Sequence, residues 1–218
     1  MRGLRVARIG LPWWGGRPRP HPRPQPTPRS ASTERCYNRE IMALAATHHL
    51  SIAEYENLYG SESGWEYWFG EARRKPVPIH IHGILQALLA ELLRLAGYVS
   101  SVEAEIRVVP DWRPRPDVYG VLEKIDGRYA TRPVDVVFEV LSDQTDIETK
   151  CQHYSQSLIP QIFVFDPDAQ TITSWDGANL VPVTDVKLAN GVTITGVTIW
   201  REFAKRLQPP APPVSMTI

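Results

Sequence analysis

Apolar positions recur along the chain at two periods, and each change of period marks a new element. Ile84, Leu85, Leu88, Leu89, Leu92, Leu93 and Leu95 return every three or four residues, which predicts an amphipathic helix over about 81–96, ended by Gly97. Upstream, Ser51 stands before Ile52 to Tyr59 with Glu54 and Glu56 near the start, the pattern of a short capped helix. An aromatic-rich strand is expected over Glu66 to Ala72, turning at Gly70. Three strands follow the main helix, Glu103 to Val109, Pro116 to Glu123 and Val134 to Leu141, with Asp126-Gly127 supplying hairpin chemistry between the last two. A second long helix is expected over Asp146 to Ser157, then a buried strand over Gln161 to Phe165 closed by Asp166-Pro167. Shorter β segments fall within 171–196, and a last helix covers Trp200 to Leu207. Successive strands followed by a helical crossover imply an α/β fold of α+β character, a mixed central sheet flanked by helices.

The ends of the chain do not share this patterning. Gly15 to Ser30 reads GGRPRPHPRPQPTPRS, in which proline removes backbone donors and favours extended conformations. Residues 1–41 are therefore expected to be a disordered Pro/Arg-rich arm, residues 42–208 the folded domain and residues 209–218 a disordered tail. Two origins for the arm stay open: a native basic segment, or leader sequence upstream of a start at Met42. An organelle transit peptide is disfavoured because proline interrupts every candidate amphipathic helix in it. No apolar run approaches the roughly 18 residues of a membrane-spanning helix. Two cysteines, Cys36 and Cys151, in segments of different character give no disulfide framework, so a cytoplasmic protein is expected.

Charge changes the picture only once it is located. The total of zero conceals nine arginines against two acids in residues 1–41, a formal +7, and fifteen basic against twenty-two acidic residues in the remainder, a formal −7. An acidic core carries no broad nucleic-acid surface, so any such face must be local. Arg73-Arg74-Lys75 is the local basic run available for phosphate contacts, with a solvated turn as its commoner fate.

One carboxylate is out of place. Glu139 lies inside VDVVFEVL, where Val137, Glu139 and Leu141 share one strand face and Val136, Phe138 and Val140 the other. A charge in a central strand is costly unless paired or metal-bound; the plain alternative is a strand-end glutamate in a salt bridge. Asp117 follows Pro116 at the start of the preceding strand. Asp135 shares the face of Glu139 but sits roughly 13 Å along the strand, and is expected to face solvent. Asp146, Lys150 and Tyr154 recur at i, i+4 and i+8, hence on one helical face, and by spacing alone Lys150 reads as a surface lysine paired to Asp146. His80 and His82 would share a face if extended, but no third ligand at zinc spacing accompanies them. Cys151 is expected to be a buried packing thiol.

The run RPDVYG…RPVDVVFEVLSDQTDIETKCQHYSQSLIPQIFVFDP resembles the restriction-endonuclease-like proteins of the Uma-two type, in the PD-(D/E)XK nuclease superfamily. The matching features are Pro116-Asp117, Glu139 to Ser142, Asp146-Lys150-Tyr154 and Asp166-Pro167, preceded by Glu66, Gly70, Glu71 and His82. The likeness spans about residues 50–207. It implies a restriction-endonuclease-like core and a Mg²⁺-dependent endonuclease acting on DNA, with Mn²⁺ as an alternative ion. Asp117, Glu139 and Lys150 would be catalytic, and Asp117, Glu139 and the Val140 carbonyl the metal ligands. His82, Asp146 and Tyr154 would support them, and Arg73, Arg74 and Lys75 would contact nucleic acid. The lysine departs from the wider superfamily, whose position two residues beyond the glutamate is held here by Leu141. Asp143 stands where the family usually has proline, and Gln161-Ile162 where it has Glu-Tyr. The rival from another class is a catalytically silent binding domain on the same fold, for which a homodimer is an open assembly. A carboxylate-pair hydrolase on another substrate lacks a second acid at convincing spacing.

Overall fold

The computed structural model describes residues 49–60, 64–76, 79–142 and 146–208. All lie in the second of two units into which the chain divides, Ala43–Ile218. The expected arm and tail, Cys36 and Asp143 fall outside the described residues. In chain order the elements are α1 (Ile52–Tyr59), β1 (Trp65–Trp68), β2 (Glu71–Arg74), α2 (His80–Leu95), β3 (Val99–Val102), β4 (Trp112–Arg113) and β5 (Val118–Val121). Then come β6 (Val136–Val140), α3 (Ile147–Gln156), β7 (Ile162–Asp166), β8 (Thr171–Trp175), β9 (Leu180–Val183), β10 (Asp185–Lys187), β11 (Thr193–Thr195) and α4 (Gly196–Leu207).

The frame is a six-stranded mixed sheet in the order β3-β5-β6-β7-β8-β9. Every neighbouring pair is antiparallel except β6–β7, which α3 joins as the helical crossover. Alternation along β6 divides the core as its sequence implies. Val136, Phe138 and Val140 pack with Leu85, Leu88, Leu89 and Leu93 of α2 and Ile199 and Phe203 of α4. Val137 packs on the opposite face with Ile162 and Val164 of β7, Cys151 and Tyr154 of α3, and Trp68 and Trp112. The last two belong to a small sheet in the order β2-β1-β4. Gly120 allows α2 to lie close to the sheet, since a Cβ there would be 3.1 Å from Tyr98 and Val136 and 3.2 Å from Leu93. No helix among the described residues is long and apolar enough to cross a membrane.

Local chemistry sets most boundaries. Ser51 and Glu54 form a reciprocal capping box at α1, each side chain accepting the other's backbone N–H. α2 ends where Gly97 adopts φ +91°, with Gly97 N–H donating to Arg94 and Tyr98 N–H to Leu93. That is the Schellman arrangement, which satisfies two terminal carbonyls.

Four expectations change. The segment 66–72 is a hairpin, because Phe69 and Gly70 both take positive φ (+48° and +99°) and form a two-residue reversing turn. The strand expected at Glu103–Val109 lies upstream, at Val99–Val102. Glu103 takes φ +50° and donates its N–H to the Pro116 and Asp117 carbonyls, which ends the ladder, while Glu105 turns inward to Arg115 and Arg107. The Asp126-Gly127 turn sits within a longer connection between β5 and β6. α4 starts at Gly196, capped by Thr195, ahead of the expected Trp200.

Candidate active site

The β5–β6 register pairs Val118 with Phe138 and Tyr119 with Val137. One step further, the same register places Asp117 opposite Glu139, and residues directly opposite share a sheet face with Cβ atoms about 4.5–5.5 Å apart. Both carboxylates are 3% exposed. Asp117 Oδ2 accepts the Val140 N–H at 2.8 Å, taking over at the point where the ladder with β5 has run out. Asp135 does the same at the other end of the ladder, accepting the Leu122 N–H at 2.7 Å, and is half-buried where solvent exposure was expected.

Two lysines neutralise these acids. Lys150, from α3, is buried, with Nζ 3.0 Å from Glu139 Oε1 and 3.2 Å from Glu66 Oε1. Spacing alone made it a surface lysine paired to Asp146. Instead Asp146 is exposed at the start of α3, its carboxylate 3.5 Å from Arg73, and stands apart from the cluster. Lys75 leaves the Arg73-Arg74 run, which stays exposed, and turns inward. Its Nζ lies 3.1 Å from Asp117 Oδ1 and 2.8 Å from the Arg115 carbonyl. It is thus a counter-ion of the acid pair, not a surface phosphate contact. Arg73 lies over the Trp68 ring at 4.5 Å.

α2 supplies the remaining wall. His82 and Gln86 are one turn apart and so share a helical face. Gln86 Nε2 donates to Asp117 Oδ1 at 3.0 Å. His82 Nε2 lies 3.3 Å from Asp117 Oδ2, yet neither ring nitrogen makes a hydrogen bond within the described residues. Tyr154 OH donates to Glu139 Oε1 at 2.6 Å. Glu66 Oε1 accepts the Arg115 N–H and Glu66 Oε2 the Trp68 indole N–H. Val140 contributes its N–H to Asp117, while its side chain belongs to the opposite face of the sheet. His80 is exposed and does not converge with His82. No group of three His, Cys, Asp or Glu among the described residues forms a ready metal cage.

The two acids are driven apart in proton affinity. Burial, the largest influence on Asp117, would raise its pKa, but His82, Lys75 and Lys150 together hold it well below the usual carboxylate range. Burial pushes Glu139 up to about 7, with Lys150 pulling down and the Asp117 charge adding to the rise. Burial opposes charge on Lys150, yet Glu139, Glu66 and Asp117 outweigh it and hold the ammonium protonated. Cys151, behind this cluster, is pushed up to about 12, first by burial and next by Glu139, which removes it as a thiolate nucleophile.

The raised Glu139 pKa has a measurable consequence. The folded protein binds this proton more tightly than the unfolded chain, so protonation stabilises the fold. That contribution is complete below the ordinary value of 4.5 and lost as pH rises through about 7. Asp117 acts oppositely, favouring the fold above its ordinary 3.8, and so does not alter this window. In metal-free protein the urea midpoint is expected to fall between about pH 5 and pH 8, and Glu139→Gln to flatten that slope. An unchanged slope in the variant would show that Glu139 titrates normally.

A family model described as "Putative restriction endonuclease", Uma2, matches residues 52–195. The chain belongs to the Uma2 family. The matched span holds every residue of the buried cluster in this Uma2 chain, from Glu66 to Tyr154. Among solved structures it is similar to one described as a putative nuclease belonging to DUF820 from Anabaena variabilis ATCC 29413. The identity is 17%, the TM-score 0.58, and the match covers 71% of this chain and 99% of that one, a likeness of fold. No curated protein matches the chain.

Sequence reasoning about this Uma2 chain missed Glu66 and Gln86 as members of the cluster and assigned Lys75 to nucleic-acid contact. Glu66 was visible only as a motif position, Lys75 as part of a basic run, and Gln86 as a polar residue within a leucine-rich helix. The His82/Gln86 spacing was the one available signal, since an amide on the inward face of α2 needs a buried partner.

Proposed function

We propose that the chain is a metal-dependent endonuclease of the PD-(D/E)XK type acting on DNA, with Asp117, Glu139 and Lys150 as its catalytic residues. The observation that carries this is the burial of two carboxylates from facing strand positions against an ammonium 3.0 Å from one of them. Family membership supports the reaction class.

The donor set suits Mg²⁺, or Mn²⁺, in chemistry: hard carboxylate oxygens in a cluster of three acids and two lysines with a formal charge of −1. Asp117 and Glu139 would hold the ion, with the Val140 carbonyl as a further oxygen donor. A bound dication supplies charge neutralisation at the phosphate and a lowered pKa for water. The protein's own groups supply the rest. Lys150, held protonated, offers a proton and a positive charge to the oxygens on which charge develops as the water oxygen bonds to phosphorus and the ester P–O bond breaks. It is therefore a donor and electrostatic group, and Glu139, pushed up to about 7 in the metal-free protein, would give up its proton as the ion binds. Tyr154 and Lys150 fix the Glu139 carboxylate, and His82 and Gln86 flank that of Asp117. The exposed Arg73 and Arg74 are the proposed phosphate contacts.

A second reading, a silent binding domain on the same fold, has one observation in its favour. Asp117 also closes the β-ladder at Val140, a purely structural service. Calorimetric titration with Mn²⁺ and incubation with a panel of DNA substrates separate the two. The endonuclease binds the ion and cleaves, and absence of both leaves the binding domain.

A further inference from the structure

Asp117 Oδ1 already receives two donors, Lys75 Nζ at 3.1 Å and Gln86 Nε2 at 3.0 Å, one for each lone pair. Oδ2 receives the Val140 N–H and faces His82. A divalent ion needs a carboxylate lone pair at about 2.0–2.1 Å, so one of its two donors must leave before Oδ1 can act as a ligand. The Val140 N–H is fixed by the strand. Gln86 is neutral and held also by Glu103. Lys75 is the only cation hydrogen-bonded to Asp117 among the described residues. It sits on a flexible four-carbon stem and keeps a second acceptor, the Arg115 carbonyl at 2.8 Å, if it lets Asp117 go. Its charge also opposes a dication at the same oxygen.

Resting on the metal-dependent reading above, we infer that Lys75 is a tethered counter-ion that occupies the metal-binding face of Asp117 and is displaced when a divalent cation enters. Lys75 thereby sets the ion affinity of the site. Its loss changes the cluster from a formal −1 to −2 and frees a lone pair, both in favour of the ion.

The test is calorimetric titration of the full chain with Mn²⁺ alone, comparing wild type with Lys75→Met and Lys75→Arg. Lys75→Met is expected to bind at least about tenfold more tightly, and Lys75→Arg no more tightly than wild type. Equal or weaker binding by Lys75→Met, with wild type binding normally, overturns the counter-ion role and leaves the metal site standing. No binding by either protein overturns both. Because Lys75→Met could lose its fold, wild type supplies an independent readout through amine acetylation followed by mass spectrometry. The Lys75 side chain is 9% exposed and Lys124 is exposed, so Lys124 serves as the reference amine. Saturating Mg²⁺ is expected to raise Lys75 labelling several-fold relative to Lys124 while Lys150 stays protected. Unchanged Lys75 labelling at saturating Mg²⁺ contradicts displacement.

Discussion

Lys150→Met is expected to cost about 3–5 kcal/mol of stability near pH 8, the range for removing one partner of a buried ion pair. The methionine fills similar volume, so the loss is electrostatic. Glu139 and Glu66, 3% and 5% exposed, would each lose the ammonium that now lies 3.0 and 3.2 Å away. Glu66 keeps the Arg115 and Trp68 N–H donors, and Glu139 keeps Tyr154. The heavier penalty therefore falls on Glu139, whose charge burial already disfavours. Two features separate this account from simple loss of packing. The penalty should shrink toward about pH 5, where Glu139 takes up a proton. The Lys150→Met/Glu139→Gln double variant should recover much of it, a coupling of about 1–3 kcal/mol in a double-mutant cycle. Urea unfolding at both pH values measures each. Additive losses would place Lys150 outside the electrostatic cluster.

Glu139→Gln is expected to separate chemistry from folding. Its carbonyl oxygen can still accept from Tyr154 OH and Lys150 Nζ, now at 2.6 and 3.0 Å, so the fold persists. Because carrying a charge at this position is costly, the neutral side chain should match or exceed wild-type stability at about pH 8. What disappears is a hard anionic oxygen for the ion. DNA cleavage should fall by at least about 10²–10³-fold, the scale of losing one charge-stabilising group.

The legible parts of the structure were those written in local chemistry. The Ser51-Glu54 box, the leucine spacing of α2 with Gly97 behind it, and the alternation of Val136 to Val140 each specify an element from neighbouring residues. The crossover between β6 and β7 followed from a helix set between two apolar runs. Glu139 stood out because a carboxylate in an apolar strand needs a partner. β3 was misplaced because Glu103 leaves the strand through a left-handed backbone conformation, which alternation in VEAEIRV does not reveal. Lys150 was the instructive case. Spacing put it on one face with Tyr154, but only tertiary packing shows that this face is inward and that Glu66, from a different sheet, meets it there. Lys75 and Gln86 reach Asp117 across 42 and 31 residues of sequence, a convergence with no local trace.

The most direct measurement is the rate of supercoiled plasmid cleavage by the full chain with and without Mg²⁺, beside Glu139→Gln at the same protein and ion concentrations. Cleavage that requires the ion in wild type and is lost in a stably folded Glu139→Gln variant is the expected result. Cleavage that survives the substitution, or wild-type protein that binds Mg²⁺ yet leaves every substrate intact, would contradict a nuclease centre at Asp117, Glu139 and Lys150.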